Sequence, residues 1–421
     1  MSTIIFDAVG LPPSYEYNRG SAGRTVRQLN SLFACITLIL FACNIIIPTA
    51  ALPVFQPSPK LQIPLLQSTT DRFFKWHSGT MDSEQSPIKV MIVGNSMTQG
   101  HEGDWTWRYR LWEWFKNQKI PVKFVGPYIG TFAPADVEPP TSGGYAVGVS
   151  PDFDSHHFSN WGRQLAQDAV LIRGIVRTYQ PDYLLVMLGF NDIGWGVSNG
   201  EGTLKSMELF VKEARAGKPD VNFALANIVQ RLYLRDDLPI ETAKYNRLLA
   251  EAIPRWNTST SRIELVRLQE NYDCGVDSCP AAYDGLHPNA LGEFQVAQAF
   301  SRTLLNDYKI GKSELIVPDL KDIPKRPISV PTGLKAESCP VGIVVTWDPV
   351  YGAFGYDVQA RPKGREEWEF YAIPVNTHTT WAPEGQEWEY RVRTDNLNGG
   401  EHSEWSGILS VVAHPRAEED K

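Results

Sequence analysis

Three short segments carry residue types that together could perform nucleophilic chemistry. The first is Val93-Gly94-Asn95-Ser96-Met97-Thr98. It offers a serine after a glycine that lets the chain turn sharply. A serine hydroxyl is a weak nucleophile without an adjacent base. The third segment, Asp284-Gly285-Leu286-His287-Pro288-Asn289, supplies one. Histidine is the natural base near neutral pH. Asp284 stands three residues before His287, so its carboxylate can reach Nδ1 across one turn, fix the tautomer and stabilise the imidazolium. The second segment, Leu188-Gly189-Phe190-Asn191-Asp192, offers a side-chain amide in Asn191 that can donate to an oxyanion. Each segment alone has an ordinary reading: a turn, an Asx-turn or helix cap, a capping histidine. Spacing leaves the base open, because Asp154-Ser155-His156-His157 repeats Asp-x-x-His. A His pair near an Asp also raises a metal, but the sequence shows no third ligand.

These segments need a frame that brings them together. Short apolar runs at 89–93, 121–125, 183–188, 223–229 and 263–268 are rich in Val, Ile, Leu and Phe, as strands buried on both faces are. Between and after them, 107–117, 163–179, 203–214, 240–253 and 290–307 repeat apolar residues at helical spacing. Alternating strands and helices predict an α/β fold: a flavodoxin-like three-layer sandwich with a five-stranded parallel sheet in the order 2-1-3-4-5. In that order the first and third strands are neighbours. Ser96 and Asn191 then meet at the switch point, with the Asp284–His287 segment arriving after the fifth strand.

Gly94-Asn95-Ser96-Met97-Thr98, Gly189-Phe190-Asn191-Asp192 and Asp284-Gly285-Leu286-His287-Pro288 resemble, in order and spacing, three blocks of the SGNH (GDSL-type) hydrolase family over about 87–308. The resemblance implies a serine esterase that uses no metal or cofactor. Ser96 is then the nucleophile, His287 the base and Asp284 its orienting acid. The oxyanion hole is the Ser96 amide, the Asn191 side chain and a glycine amide from a further block. Gly162 in Phe158-Ser159-Asn160-Trp161-Gly162-Arg163 is the candidate for that amide, with Asn160 as the alternative. Asn95 stands where the family usually has Asp, a residue that tends to be structural. The family divides among carbohydrate deacetylases, lipases and lysophospholipases, and thioesterases. The layout resembles its secreted carbohydrate esterases. No long apolar insertion suggests a lid, and Trp105, Trp107, Trp161 and Trp195 lie near the motifs. The expected substrate is therefore an acetylated glycan. A lipid-ester hydrolase and a catalytically silent surface-binding protein are the alternatives.

Beyond a proline-rich linker at 311–327 the periodicity becomes two. Runs at 343–347, 355–360, 367–372 and 388–394, with Trp347, Tyr356 and Tyr390, resemble a fibronectin type III domain over 328–415. By that resemblance Tyr390 is a corner tyrosine bonded to nearby backbone. Most of the tryptophans are expected to pack in cores.

The N-terminal part reads as a membrane tether. Residues 31–55 form an apolar stretch, with Arg19, Arg24 and Arg27 before it and the next charge at Lys60. This predicts a single-pass signal anchor, with 1–30 a cytosolic tail, 56–86 a stalk and the catalytic domain, 87–310, extracytoplasmic. The alternative is a signal peptide, with cleavage near Thr49-Ala50-Ala51 releasing a secreted protein. Pro12, Pro13 and Tyr15 form PPxY, a WW-domain ligand pattern. In an oxidising compartment Cys274 and Cys279 read as a local disulfide, Cys339 is left over as a buried thiol, and Asn257-Thr258-Ser259 is a glycosylation sequon. With 40 basic and 48 acidic side chains, net charge −8, and no long basic run, nucleic acid is not an expected partner.

Overall fold

The computed structural model describes residues 86–133, 143–324, 326, 328–395 and 402–414. The predicted tail, anchor and most of the stalk, with the PPxY motif, lie outside them. Among the described residues no helix is long and apolar enough to cross a membrane.

The first strand, β1 (Ile88–Gly94), is buried from Val90 onward because helices cover both its faces. It is followed by α1 (Ser96–Gln99), α2 (Trp107–Asn117) and β2 (Val122–Phe124). Then come β3 (Phe158–Ser159), α3 (Leu165–Tyr179), β4 (Tyr183–Met187), α4 (Phe190–Gly194), α5 (Gly200–Gly217), β5 (Asn222–Ala226), α6 (Asp237–Trp256), β6 (Ile263–Val266) and α7 (Ala290–Asn306). The main sheet runs β2-β1-β4-β5-β6, all parallel. That is the predicted 2-1-3-4-5 order. The sheet has six strands rather than five. The two-residue β3 joins β1 beyond the end of β2, pairing Val93 with Phe158 and Gly94 with Ser159. Two residues are too few to show a periodicity.

The order reverses at β1, and right-handed crossovers then put helices on opposite faces. Helix α2 packs with α7, whereas α3, α5 and α6 pack in succession. Their apolar stripes close one core from Val90 to Leu315. Trp107 belongs to it, fully buried and stacked on Phe300 at 4.7 Å.

The C-terminal domain is a seven-stranded antiparallel sandwich of the fibronectin type III kind. Its strands are β7 (Lys335–Cys339), β8 (Gly342–Thr346), β9 (Gly355–Pro362), β10 (Glu369–Ile373), β11 (Thr377–Trp381), β12 (Glu387–Asp395) and β13 (Leu409–Val412). They form sheets β10-β9-β12-β13 and β11-β8-β7. Ile343, Val345, Trp347, Val358, Tyr390 and Val392 alternate inward. The Tyr390 hydroxyl corrects its expectation: it is buried against Thr380 and bonds no backbone group. Cys339 is half-buried rather than buried.

Candidate active site

Asn95 ends β1, and its side chain accepts the Met97 N–H at 3.1 Å, capping α1. This puts Ser96 in the first helical position at the carboxyl edge of the sheet. Asparagine does the capping there, which accounts for the departure from Asp. Buried Arg108 holds the same turn. Its guanidinium donates to the carbonyls of Thr98, Gln99, Gly130 and Ser155 at 2.9–3.0 Å. Four neutral acceptors satisfy a charge that has no carboxylate among these bonds.

The predicted base arrives from the loop before α7. His287 Nε2 lies 2.8 Å from the Ser96 hydroxyl, and Nδ1 lies 2.6 Å from Asp284 Oδ2. Asp284 Oδ1 accepts the backbone N–H of Leu286 and of His287. Burial raises the Asp284 carboxyl. Attraction to His287, the hydrogen bonds from its ring and backbone, and the Arg231 charge more than offset that and hold it below the usual carboxylate range. An ionised acceptor at Oδ2 puts the proton on Nδ1 and leaves Nε2 free to take the serine proton. Gly285 makes the turn between acid and base at φ +81°, and a Cβ there would lie 2.7 Å from Leu232. Asn289 then caps α7, accepting from Leu291 and Gly292. The Cys274–Cys279 disulfide closes the start of this same loop.

The rival pair separates. Asp154 pairs with the exposed His156 at 2.7 Å. His157 is fully buried: Nε2–H donates to the Gly130 carbonyl, and Nδ1 accepts from the Ser159 hydroxyl. Burial, then the Arg108 charge, pushes its pKa well below the ordinary histidine value. His157 is thus a neutral structural residue. Burial and not spacing distinguishes the two histidines.

Asn191 stands in the first turn of α4, where β4 ends beside β1. Its amide donates to the Arg163 carbonyl at 2.9 Å, and Asp192 accepts the Leu165 and Ala166 N–H groups at 2.7 and 3.0 Å. Adjacent residues of the second segment therefore hold the loop that carries Gly162. That loop is a tight turn closed from Arg163 N–H to the Asn160 carbonyl, and Gly162 occupies it at φ +73°. Asn160 spends its own N–H on the Gly94 carbonyl. Its backbone donor is therefore engaged, which leaves Gly162 the better-placed candidate.

Several groups surround the triad-like set, of which the sequence pointed only to Trp161. Trp161 and Tyr283 both stack on the His287 ring, at 4.8 and 5.7 Å. His101, Asp104 and Glu293 lie close by. Burial, then the Asp104 charge, pushes Glu293 up to about 8. Its Oε1 accepts the Thr106 N–H, while Oε2 is buried without a partner. A cavity of about 10 Å³ sits beside Ser96, walled by Met97, Trp107, Tyr283, His287 and Glu293. No sequence signal marked Glu293, which sits in an ordinary helical pattern. Of the other tryptophans, Trp195 is 42% exposed and lies beside Gly162. Trp105 packs under Arg110 at 4.5 Å.

Two further predicted positions sit apart. Asn257 is exposed at the end of α6, with its side-chain amide paired to the Ile263 backbone. Among the described residues, Asp357, Asp395 and His402 group closely enough to hold a metal ion. They belong to the sandwich, and Arg393 already neutralises Asp357 at 2.8 Å.

Residues 92–293 match the GDSL-like Lipase/Acylhydrolase family. The matched region is 202 of the chain's 421 residues and lies within the α/β domain. No curated protein matches the chain at a significant level. Among solved structures, this chain is similar to an acetyl esterase variant with an acetate ion (22% identity, 53% of this chain and 98% of that one, TM-score 0.42). It is also similar to a carbohydrate esterase family 3 protein from Talaromyces cellulolyticus (22%, 53% and 100%, TM-score 0.42). The sandwich is similar to the fn3 domain of human collagen alpha-1(XX) chain (25%, 23% and 92%, TM-score 0.19).

Proposed function

We propose that the hydrolase domain is a serine esterase that removes acetyl groups from a glycan through an acyl-enzyme. The observation that carries this reading is the continuous Ser96–His287–Asp284 hydrogen-bonded chain. Ser96 Oγ attacks the ester carbonyl as His287 Nε2 takes its proton. Asp284 holds the ring and stabilises the imidazolium. The oxyanion is held by the amides of Ser96 and Gly162 and by the Asn191 side chain. His287 then protonates the leaving alkoxide, and a water, deprotonated by the same ring, releases acetate.

The acyl preference is supported by the cavity beside Ser96. The space beside Ser96 is small, about 10 Å³, which favours a short acyl group over a long one. Trp161 and the exposed Trp195 offer apolar faces beside the site for a sugar ring. We infer further that residues 31–55 tether the enzyme with its catalytic domain extracytoplasmic, or are cleaved to release it. We also propose that Pro12, Pro13 and Tyr15 engage a WW-domain protein on the cytosolic side.

The test compares purified wild type with Ser96→Ala on acetyl and decanoyl esters and on an acetylated oligosaccharide. Turnover of the acetyl substrates, falling by about 10³-fold or more in Ser96→Ala, is expected. Faster turnover of decanoyl than acetyl esters would replace this reading with the lipid-ester one. Undiminished activity in Ser96→Ala would remove the serine mechanism.

A further inference from the structure

Phe354 lies in the sandwich loop between β8 and β9, far in sequence from the catalytic segments, yet its ring stacks on Tyr283 at 3.9 Å. Tyr283 in turn stacks on the catalytic imidazole. The Arg326 guanidinium lies over the Phe354 ring, 4.1 Å from its centre. The result is one column: Trp161, His287, Tyr283, Phe354, Arg326. Arg326 belongs to the linker, and it bonds in both directions. It donates to the Gly352 carbonyl of the sandwich loop at 2.6 Å, and to Asp104 and the Glu102 carbonyl in the loop that follows the nucleophile turn. Asp104 closes that loop by accepting the His101 N–H at 2.6 Å. Backbones meet here as well. A Cβ on Gly103 would come within 2.9 Å of the Gly352 Cα.

A free-standing accessory domain does not need this arrangement. A mobile module would be joined by a polar interface that tolerates motion. Here an ion pair ties the linker to the 101–104 loop, and a ring stack from outside the hydrolase domain reaches, through Tyr283, the ring that must move a proton. We propose that Phe354 and Arg326 are positioning residues for His287, so that the sandwich domain forms part of the active site. Phe354 backs Tyr283, which confines the imidazole against Trp161. Arg326 keeps Phe354 and the 101–104 loop in register. The proposal rests on the serine-esterase reading above. It goes beyond it by making catalysis depend on residues outside the hydrolase domain.

The experiment measures kcat and KM of the full chain on a small acetyl ester, which is too short to touch the sandwich. The proteins are wild type, Phe354→Ala, Phe354→Tyr, Arg326→Gln and Ser96→Ala, with melting temperature and near-UV circular dichroism recorded for each. Loss of confinement misplaces the base, and misplacement by about 1 Å can cost about 10²-fold in rate. Phe354→Ala and Arg326→Gln are expected to lower kcat by about tenfold or more with KM nearly unchanged, in folded protein. Phe354→Tyr, which keeps the ring, is expected to restore wild-type kcat. Folded Phe354→Ala and Arg326→Gln with wild-type kcat would overturn the proposal, as would an equal loss in Phe354→Tyr. If Phe354→Ala does not fold, Arg326→Gln against Phe354→Tyr decides by the same criterion. An inactive wild type, or an active Ser96→Ala, would instead mark failure of the esterase reading itself.

Discussion

The acid of the relay gives the sharpest expectation at the residue scale. Asp284 is ionised, and it fixes the proton on His287 Nδ1 through a 2.6 Å bond. Asp284→Asn keeps the shape but can offer an N–H in place of an acceptor, so the wrong ring nitrogen is protonated. We expect kcat to fall by about 10³–10⁴-fold with KM little changed, measured on an acetyl ester. Glu293 gives a second expectation, in stability. Its carboxyl is pushed up to about 8 in the fold, against an ordinary value of 4.5. Because the folded value is the higher one, the fold favours the protonated form. The stability this contributes is whole below the ordinary value and is lost as pH rises through about 8. Glu293→Gln cannot ionise. Its melting temperature relative to wild type is therefore expected to rise as pH increases across that window. A constant difference between the two proteins would contradict the assignment. Both expectations turn on burial, which explains what the sequence could and could not say of these residues. Ser96, Asn191 and Asp284–His287 were legible because the chemistry demands those residue types in local patterns. His157 matched the pattern equally well and was set aside only by its enclosure. Glu293 had no pattern at all.

At the scale of elements, the loop between β6 and α7 carries both Asp284 and His287, and the Cys274–Cys279 disulfide closes a short turn within it. A ring this short removes about 2 kcal/mol of unfolded-chain entropy by the loop-closure relation. Replacing both cysteines with serine is expected to lower the melting temperature and to reduce kcat per folded molecule, since His287 is positioned from that loop. A melting temperature unchanged by substitution or by dithiothreitol would show that the bridge does not constrain it. The parallel strands and α2 were legible because buried strands are short apolar runs and α2 has a clear stripe. Strand β3 was not, being two residues long. Strands β7, β11 and β13 also escaped. Their burial is shallow, and in β11 only Thr380 is buried, so alternation barely shows. The Tyr390 hydroxyl was misread for a related reason: a resemblance specifies a ring in a core, not the partner of its hydroxyl.

At the scale of the molecule, the described residues from 86 onward form one unit, and the sandwich meets the hydrolase domain beside the site. Arg326 and Asp104 are 222 residues apart in the chain. Such a contact leaves no local trace, since neither residue sits in a motif. The sequence therefore read as two modules and a linker, whereas the structure joins them beside the His287 ring. Ser96 is the proposed nucleophile of this domain. The most direct measurement is to react the full chain with a fluorophosphonate and map the adduct by peptide mass spectrometry. Stoichiometric labelling on Ser96 is expected, abolished in Ser96→Ala and strongly slowed in His287→Ala. An adduct confined to another serine, or ester hydrolysis that continues with Ser96 unmodified, would contradict it.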